Sequence, residues 1–469
     1  MIFDVLVIGE TPAAMSSAAL LARKGLKVAW ILPVSKVGEE SPHGLKVPDV
    51  MWDLLPQTLV RHILSRLGVP YKHLEKSEKR GSGLQLVAPE FRTGFLDGVG
   101  ELRRELKRIF AVDSGDLEKI FPKQRVSDED FLQRYWGTVL KDDAKSKRTS
   151  RLSFLTGGES LSVRPFGVEG MRVGPELRRF FELVFYSQSY IYQWIFPTSL
   201  VRHFAGNLAN LNIFAQGRLV SPERIFQEVF HMGEGVLFKA GRDAVLELHQ
   251  EKGISLWLGK DEVVNGTLCL VTASPQEIPS LYEGIHLPRR WFGREKGEEG
   301  GYRLANILFS IDARGIPGGM GENLLLYLAP ATEPFTPSDL ACLSFERTGD
   351  PAEIEGHLSV FYEGEVPQDH LDVWAHEQIK RLEGLFPFMV PHIEVKSVFL
   401  SQESPMAVNH YYYSSTRKRR LGSPWMREGG LGKNLYFIGR RQLDYLGLEG
   451  EIITSLKAYH WVLDRLSKL

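Results

Sequence analysis

Polar and apolar residues come in blocks at the start of the chain. Residues 4–8, DVLVI, begin with an acid and continue as an apolar run, the form taken by a parallel strand buried on both faces. From Pro12 to Lys24 small and apolar side chains recur at helical spacing, Gly25 follows as a stop, and Lys27 to Leu32 supplies a second apolar run. Strand, glycine turn, helix and strand within about 30 residues make one βαβ unit of a parallel sheet. Further on, Leu268 to Val271 reads as another buried strand, Leu304 to Ile311 and Leu324 to Leu328 as strand-like runs, and Leu371 to Leu385 as a helix. GELRRELKRIF at 100–110 predicts a basic amphipathic helix, and KDDAKSKRTSR at 141–151 an exposed polar loop.

Composition narrows the class. A chain of 469 residues is longer than one hydrophobic core usually fills, so two closely joined domains are expected. Its 43% hydrophobic and 25% charged residues are ordinary for a globular protein with a large core. A net charge of -1 gives no general attraction to nucleic acid, which argues against that class of partner. The two cysteines, Cys269 and Cys342, are too few for a disulfide framework and read as small buried hydrophobes in a reducing compartment. No run reaches the ~20 apolar residues that a bilayer crossing needs, and Asp4 interrupts the start too early for a secretory leader. A cytoplasmic protein, with at most peripheral membrane contact, is the expectation. The sequence has no metal-ligand spacing, nucleophile elbow or Walker loop.

The first turn carries the candidate chemistry. In a dinucleotide-binding turn one glycine makes the bend, a second lets the backbone approach the pyrophosphate, and a third lets helix and strand pack closely. Here Gly9 holds the first place, Thr11 the second and Ala14 the third, with Glu10, Pro12 and Ala13 between. Thr11 sets a β-branched side chain where a phosphate would meet bare backbone, while the helix start still offers N–H groups and a positive dipole end. Leu32 stands where an acid would accept hydrogen bonds from the adenosine ribose. A charge-assisted bond of that kind is worth roughly 1.5–3 kcal/mol. Glu39 and Glu40 replace it only if the following loop folds back.

Three segments carry a family resemblance. GLKVAWILPVSKVGEE at 25–40 resembles the flavin amine oxidases and phytoene desaturases, with Gly38, Glu39 and Glu40 in place of their Gly-Gly-Arg loop. Gly217 and Arg218 stand where that family has a Gly-Gly pair before a helix. Gly235 to Phe238 and Ala244 to Leu246 resemble its adenine-holding strand pair, with Val245 as the residue whose backbone would pair with adenine. NLYFIGRRQLDYLGLEGEIITSLKAY resembles the C-terminal flavin signature: Gly439, Gly447, Glu449 and Gly450 match, Leu448 lies among them, and Arg440 replaces an acid. The same scaffold is shared by Rab GDP-dissociation inhibitors.

The resemblance implies an α/β fold: a discontinuous Rossmann-like FAD/NAD(P)-binding domain with an α+β substrate domain built from two insertions. The first would comprise residues 1–85, 215–285 and 421–469, the second 86–214 and 286–420. It implies an FAD-dependent oxidoreductase, of desaturase, isomerase or amine-oxidase type, acting on a lipophilic or amine small molecule. FAD would be held by Gly9, Thr11, Pro12, Ala13, Ala14, Leu32, Gly38, Val245, Gly439, Arg440, Gly447, Leu448, Glu449 and Gly450. The alternative is a cofactor-free scaffold that binds a protein or a lipid, as the GDP-dissociation inhibitors use theirs. An NAD-using dehydrogenase is a third reading, to which the Gly447–Gly450 signature is foreign. Phe181, Phe185 and Tyr186, with Tyr190, Tyr192 and Trp194, have the spacing of a packed helix; His410 to Tyr413 would line a ligand cavity if they form a strand. His203 reads as a boundary histidine, and Arg417 to Arg420 as a solvated loop or an anion-attracting patch.

Overall fold

The computed structural model describes residues 2–9, 11–33, 52, 54–69, 84–94, 99–112, 115, 117–118, 121, 174–189, 208, 222–240, 245–249, 253–258, 262–272, 303–347, 353–363, 366, 368–400, 430–431, 434–439 and 447–468. The first half of the chain runs β1 Ile2–Ile8, α1 Pro12–Arg23, β2 Val28–Pro33, α2 Gln57–Leu67, β3 Leu84–Ala88, β4 Phe91–Gly94, α3 Val99–Phe110 and α4 Pro175–Ser189. It continues with α5 Pro222–Met232, β5 Gly235–Ala240, β6 Val245–His249, β7 Gly253–Trp257 and β8 Val263–Val271. The remainder is β9 Arg303–Asp312, β10 Asn323–Tyr327, β11 Leu340–Arg347, β12 Glu353–Tyr362, α6 Leu371–Arg381, β13 Ile393–Leu400, β14 Gly430–Leu431, β15 Leu435–Phe437 and α7 Gly447–Leu466.

The first sheet has the order β14-β15-β8-β1-β2-β5, and β15, β8, β1, β2 and β5 are all parallel. A strand in such a sheet is covered on both faces, which is why β1 and β8 read as apolar runs. Val5, Val7, Trp30, Leu268 and Leu270 face a core shared with α1, α5 and α7, while Leu6, Ile8, Ile31, Cys269 and Val271 face a smaller one with Leu246, Ile254 and Leu256. Those last three come from a hairpin arm: β6 pairs with β7, and β7 joins the N-terminal part of β8 on the edge whose C-terminal part takes β15. The expected partnership of the 235–238 and 244–246 segments is corrected here. β5 extends the parallel sheet beside β2, β6 turns back on β7, and the two do not pair with each other.

The second sheet has the order β13-β9-β12-β11-β10-β3-β4 and is antiparallel except between β10 and β3. Leu325, Tyr327, Leu340 and Cys342 point toward α4 and the first sheet's helical core; Leu324, Leu326, Ala341 and Leu343 point away, into a core roofed by α6. Phe180, Phe181 and Phe185 of α4 are fully buried, and Tyr186 packs on Phe335 and Phe361, so this aromatic stretch is core, as its spacing predicts. Both cysteines are buried, and burial pushes both thiols well above the ordinary range, which leaves neither as a nucleophile. Among the described residues no helix is long and apolar enough to cross a membrane.

Candidate functional site

Three distant segments meet at the carboxyl ends of the parallel strands, where open α/β sheets bind ligands. Gly9 leaves β1 with φ +129, a backbone conformation that side chains rarely adopt, and a Cβ there would lie 1.7 Å from Thr272 Oγ1. Thr272 leaves β8 and bonds Ile8 O through both its backbone N (3.0 Å) and its hydroxyl (3.2 Å). Gly439 leaves β15 with φ +105, and a Cβ on it would stand 3.8 Å from the Ala13 methyl and 3.9 Å from Thr272 Cγ2. First turn, middle strand and C-terminal signature therefore close on one point. Trp30 Nε1 seals the turn from β2 by donating to Gly9 O at 2.8 Å.

Above Gly9 stands the N-terminus of α1, the place for an anion in this kind of turn. From the first helical position on, its donors are few and already engaged. Pro12, at the first helical position, has no N–H. Thr11 adopts φ -73, ψ 161 and caps the helix, its Oγ1 accepting from Ala14 N at 3.4 Å. Met15 N donates to Thr11 O at 3.0 Å, the first bond of the helix ladder. The remaining donor, Ala13 N, is taken by Glu451 Oε2 at 3.2 Å, a carboxylate that reaches across from α7 and is itself only 2% exposed. Thr11 thus acts chiefly as a cap, folded onto its own helix, rather than as the simple steric obstacle that its place in the turn suggests.

The C-terminal signature supplies that carboxylate. Gly447 opens α7 with φ +52, and Leu448, Glu449 and Gly450 are buried in its first turn. Thr454, one turn on, accepts from Gly439 N at 3.1 Å and donates to Glu451 O at 2.9 Å, tying the turn after β15 to the helix. Glu451, Thr454 and Thr272 are the site residues that sequence reasoning missed. A second carboxylate directly after Gly450, two residues beyond Glu449, is the one sign the sequence offers; its partner 438 residues away is not visible there.

Other candidates lie around this centre. Leu32, half-buried in β2, stands beside Lys239 of β5, so the position expected to be acidic has an aliphatic residue next to a lysine. Val245 begins β6 and is committed on one edge to Trp257. Gly38, Arg440, Glu10, Glu39, Glu40, Gly217, Arg218, Ala244, Tyr190, Tyr192, Trp194, His203, His410 to Tyr413, Arg417 to Arg420 and the polar tract at 141–151 lie outside the described residues. Among the described residues, no group of three or more His, Cys, Asp or Glu could hold a metal ion.

FAD presents a doubly charged pyrophosphate, and its fit can be tested on these residues. The glycine bends at Gly9 and Gly439 suit a close backbone approach, but at the α1 terminus Ala13 N and Ala14 N are occupied and a buried carboxylate is in contact with it. A phosphate there would meet like charge without water to screen it. The described residues do not fit the pyrophosphate.

No protein-family model and no curated protein matches the sequence. Solved structures match the fold over nearly the full chain. Wild-type putrescine oxidase bound to putrescine superposes with a TM-score of 0.53 at 12% identity, covering 99% of both chains. An oxidoreductase from Methanosarcina mazei gives 0.55 at 13%, covering 97% of this chain and 100% of its own, and cyclohexylamine oxidase from Brevibacterium oxydans IH-35A gives 0.53 at 13%, covering 100% of both. The protein therefore has the fold of the amine oxidases. At such identities the likeness is one of architecture.

Proposed function

We propose that this protein is a binding module on an amine-oxidase scaffold, working without a bound dinucleotide and presenting its second-sheet half, residues 86–214 and 286–420, to a protein or lipid partner. One observation carries the reading: the anion position at the head of α1 is filled by the chain's own Glu451. Leu32 in place of a ribose-binding acid supports it. A partner contact on the second-sheet half is supported by apolar side chains left at its surface, on α6 and between α6 and β13: Val373 is 59% exposed and Phe388 is 80% exposed.

A second reading keeps a specific observation of its own. Gly9 and Gly439 retain the positive φ of close-approach turns within a fold shared end to end with oxidases. FAD-dependent oxidation of a lipophilic or amine molecule is that reading, and FAD would supply the redox chemistry. Visible absorption separates the two. The purified protein is expected to be colourless and to leave the spectrum of added FAD unchanged, with Thr11→Gly no different, because Ala13 N remains held. A yellow protein with stoichiometric flavin would overturn the binding-module reading.

A further inference from the structure

We infer that Glu451 is an internal ligand of the α1 anion site, its carboxylate standing in for a phosphate and latching the C-terminal helix onto the first turn; the inference rests on the cofactor-free reading above. The argument is one of donor supply. An α-helix start leaves backbone N–H groups without helical partners, and from its first helical position on α1 has two to offer, those of Ala13 and Ala14, since Pro12 has none and Met15 N already serves the ladder. Thr11 Oγ1 takes one, a local cap that many helices use. Glu451 Oε2 takes the other, and it is no local cap, because it arrives from α7 at the opposite end of the sequence.

Its setting is that of a bound anion. The Glu451 residue is 2% exposed, and Ala13 and Ala14 are fully buried. Burying a carboxylate is costly unless donors and a favourable dipole receive it, and a helix N-terminus provides both. The surrounding geometry is built around the contact: Gly439 comes within van der Waals range of the Ala13 methyl, and Thr454 Oγ1 joins Gly439 N to the Glu451 carbonyl. A side chain larger than glycine at 439 would need a strained backbone beside the very residue that donates to Glu451. The same pocket that excludes a pyrophosphate while Glu451 is present would therefore accept one when the carboxylate is removed.

Calorimetric titration of the full chain with inorganic pyrophosphate, and separately with FAD, tests this on wild type, Glu451→Ala and Glu451→Gln. Glu451→Ala is expected to bind pyrophosphate at least about tenfold tighter than wild type, and Glu451→Gln, which removes the like charge but still fills the site with an oxygen, to gain less than Glu451→Ala. A folded Glu451→Ala with no gain in pyrophosphate affinity overturns the inference while leaving the cofactor-free reading intact. Wild type binding FAD stoichiometrically defeats that reading instead. Should Glu451→Ala lose its cooperative thermal transition, millimolar pyrophosphate is expected to restore it by occupying the vacated position, and failure to restore it counts against the inference.

Discussion

Two glycines of the site differ in why they must be glycine. Gly9 combines φ +129 with a Cβ position 1.7 Å from Thr272 Oγ1, so Gly9→Ala adds backbone strain to a collision with a hydroxyl that itself donates to Ile8 O. Gly439 has φ +105 but, among the described residues, nothing closer than 3.8 Å, so Gly439→Ala is expected to incur the strain alone. Thermal or urea unfolding is expected to show a loss of about 2–4 kcal/mol for Gly9→Ala and about 1–2 for Gly439→Ala. Equal losses would mean that Thr272 moves aside freely. Gly9 is legible from the sequence as the bend after an apolar strand. The task of Thr11 is not, because whether a threonine blocks a ligand or caps its own helix depends on one side-chain rotation.

Arg179 shows the same limit far from the site. It is 2% exposed on α4, lies 4.1 Å over the Tyr327 ring, and donates through Nη2 to the carbonyls of Pro330 and Glu333. Glu182 Oε2 stands 3.8 Å from its Nη1, and burial raises the Glu182 carboxyl above the usual range despite Arg178 and Arg179 nearby. Arg179→Met removes the cation and the donor to the Glu333 carbonyl, while the Pro330 carbonyl keeps its bond from Glu333 N; a destabilisation of about 2–4 kcal/mol in urea unfolding is the expected result. In the sequence this arginine is one of an ordinary pair at the start of a helix.

At the scale of elements, the periodic segments were readable and the long-range partnerships were not. α1 appears where its small residues predict, from Pro12 to Arg23, and Gly25 follows with φ +86. Ala13, Ala14, Ala18 and Ala19 are fully buried, and their size lets α1 sit against α5 and α7 at once. The 371–385 helix is shorter than expected: α6 ends at Arg381, and residues 382–384 tighten into a 3-10 turn. The β5 and β6 segments are each strands, but pairing is decided by which edges β2 and β7 leave open, and no local pattern records that.

Between α2 and α7 lies a pH-sensitive contact. Burial above all, then the charges of Arg66 and His460, holds the His62 imidazole at about 4 rather than 6.5; His460 is lowered in the same direction, by burial and Arg66. In the unfolded chain His62 takes its proton as pH falls through about 6.5, whereas the folded form resists until about 4. Stability is therefore expected to be highest above 6.5, to decline between 6.5 and 4, and to lose nothing more from this group below that. Urea midpoints measured across that range should show a shallower slope for His62→Gln than for wild type. An unchanged slope would assign the acid sensitivity to other groups.

For the molecule as a whole, the class of fold was accessible because it is written redundantly: an apolar strand with a glycine bend, a buried middle strand and a C-terminal glycine signature each point to it separately. The contact on which the cofactor-free proposal rests was not accessible, because it joins one carboxylate to one amide across 438 positions of sequence. Motif reading compares residues with a pattern, and Glu451 stands just past the last matching glycine.

The shared edge of β8 has a bearing on how the protein is made. Its N-terminal half is paired by β7, which the ribosome delivers only a few residues earlier, but its C-terminal half waits for Leu435–Phe437, translated more than 160 residues later, and α1 waits longer still for α7. Until that last stretch emerges, a nascent chain carries an open strand edge and an uncovered alanine helix face. Any chaperone contact during synthesis would have its target there.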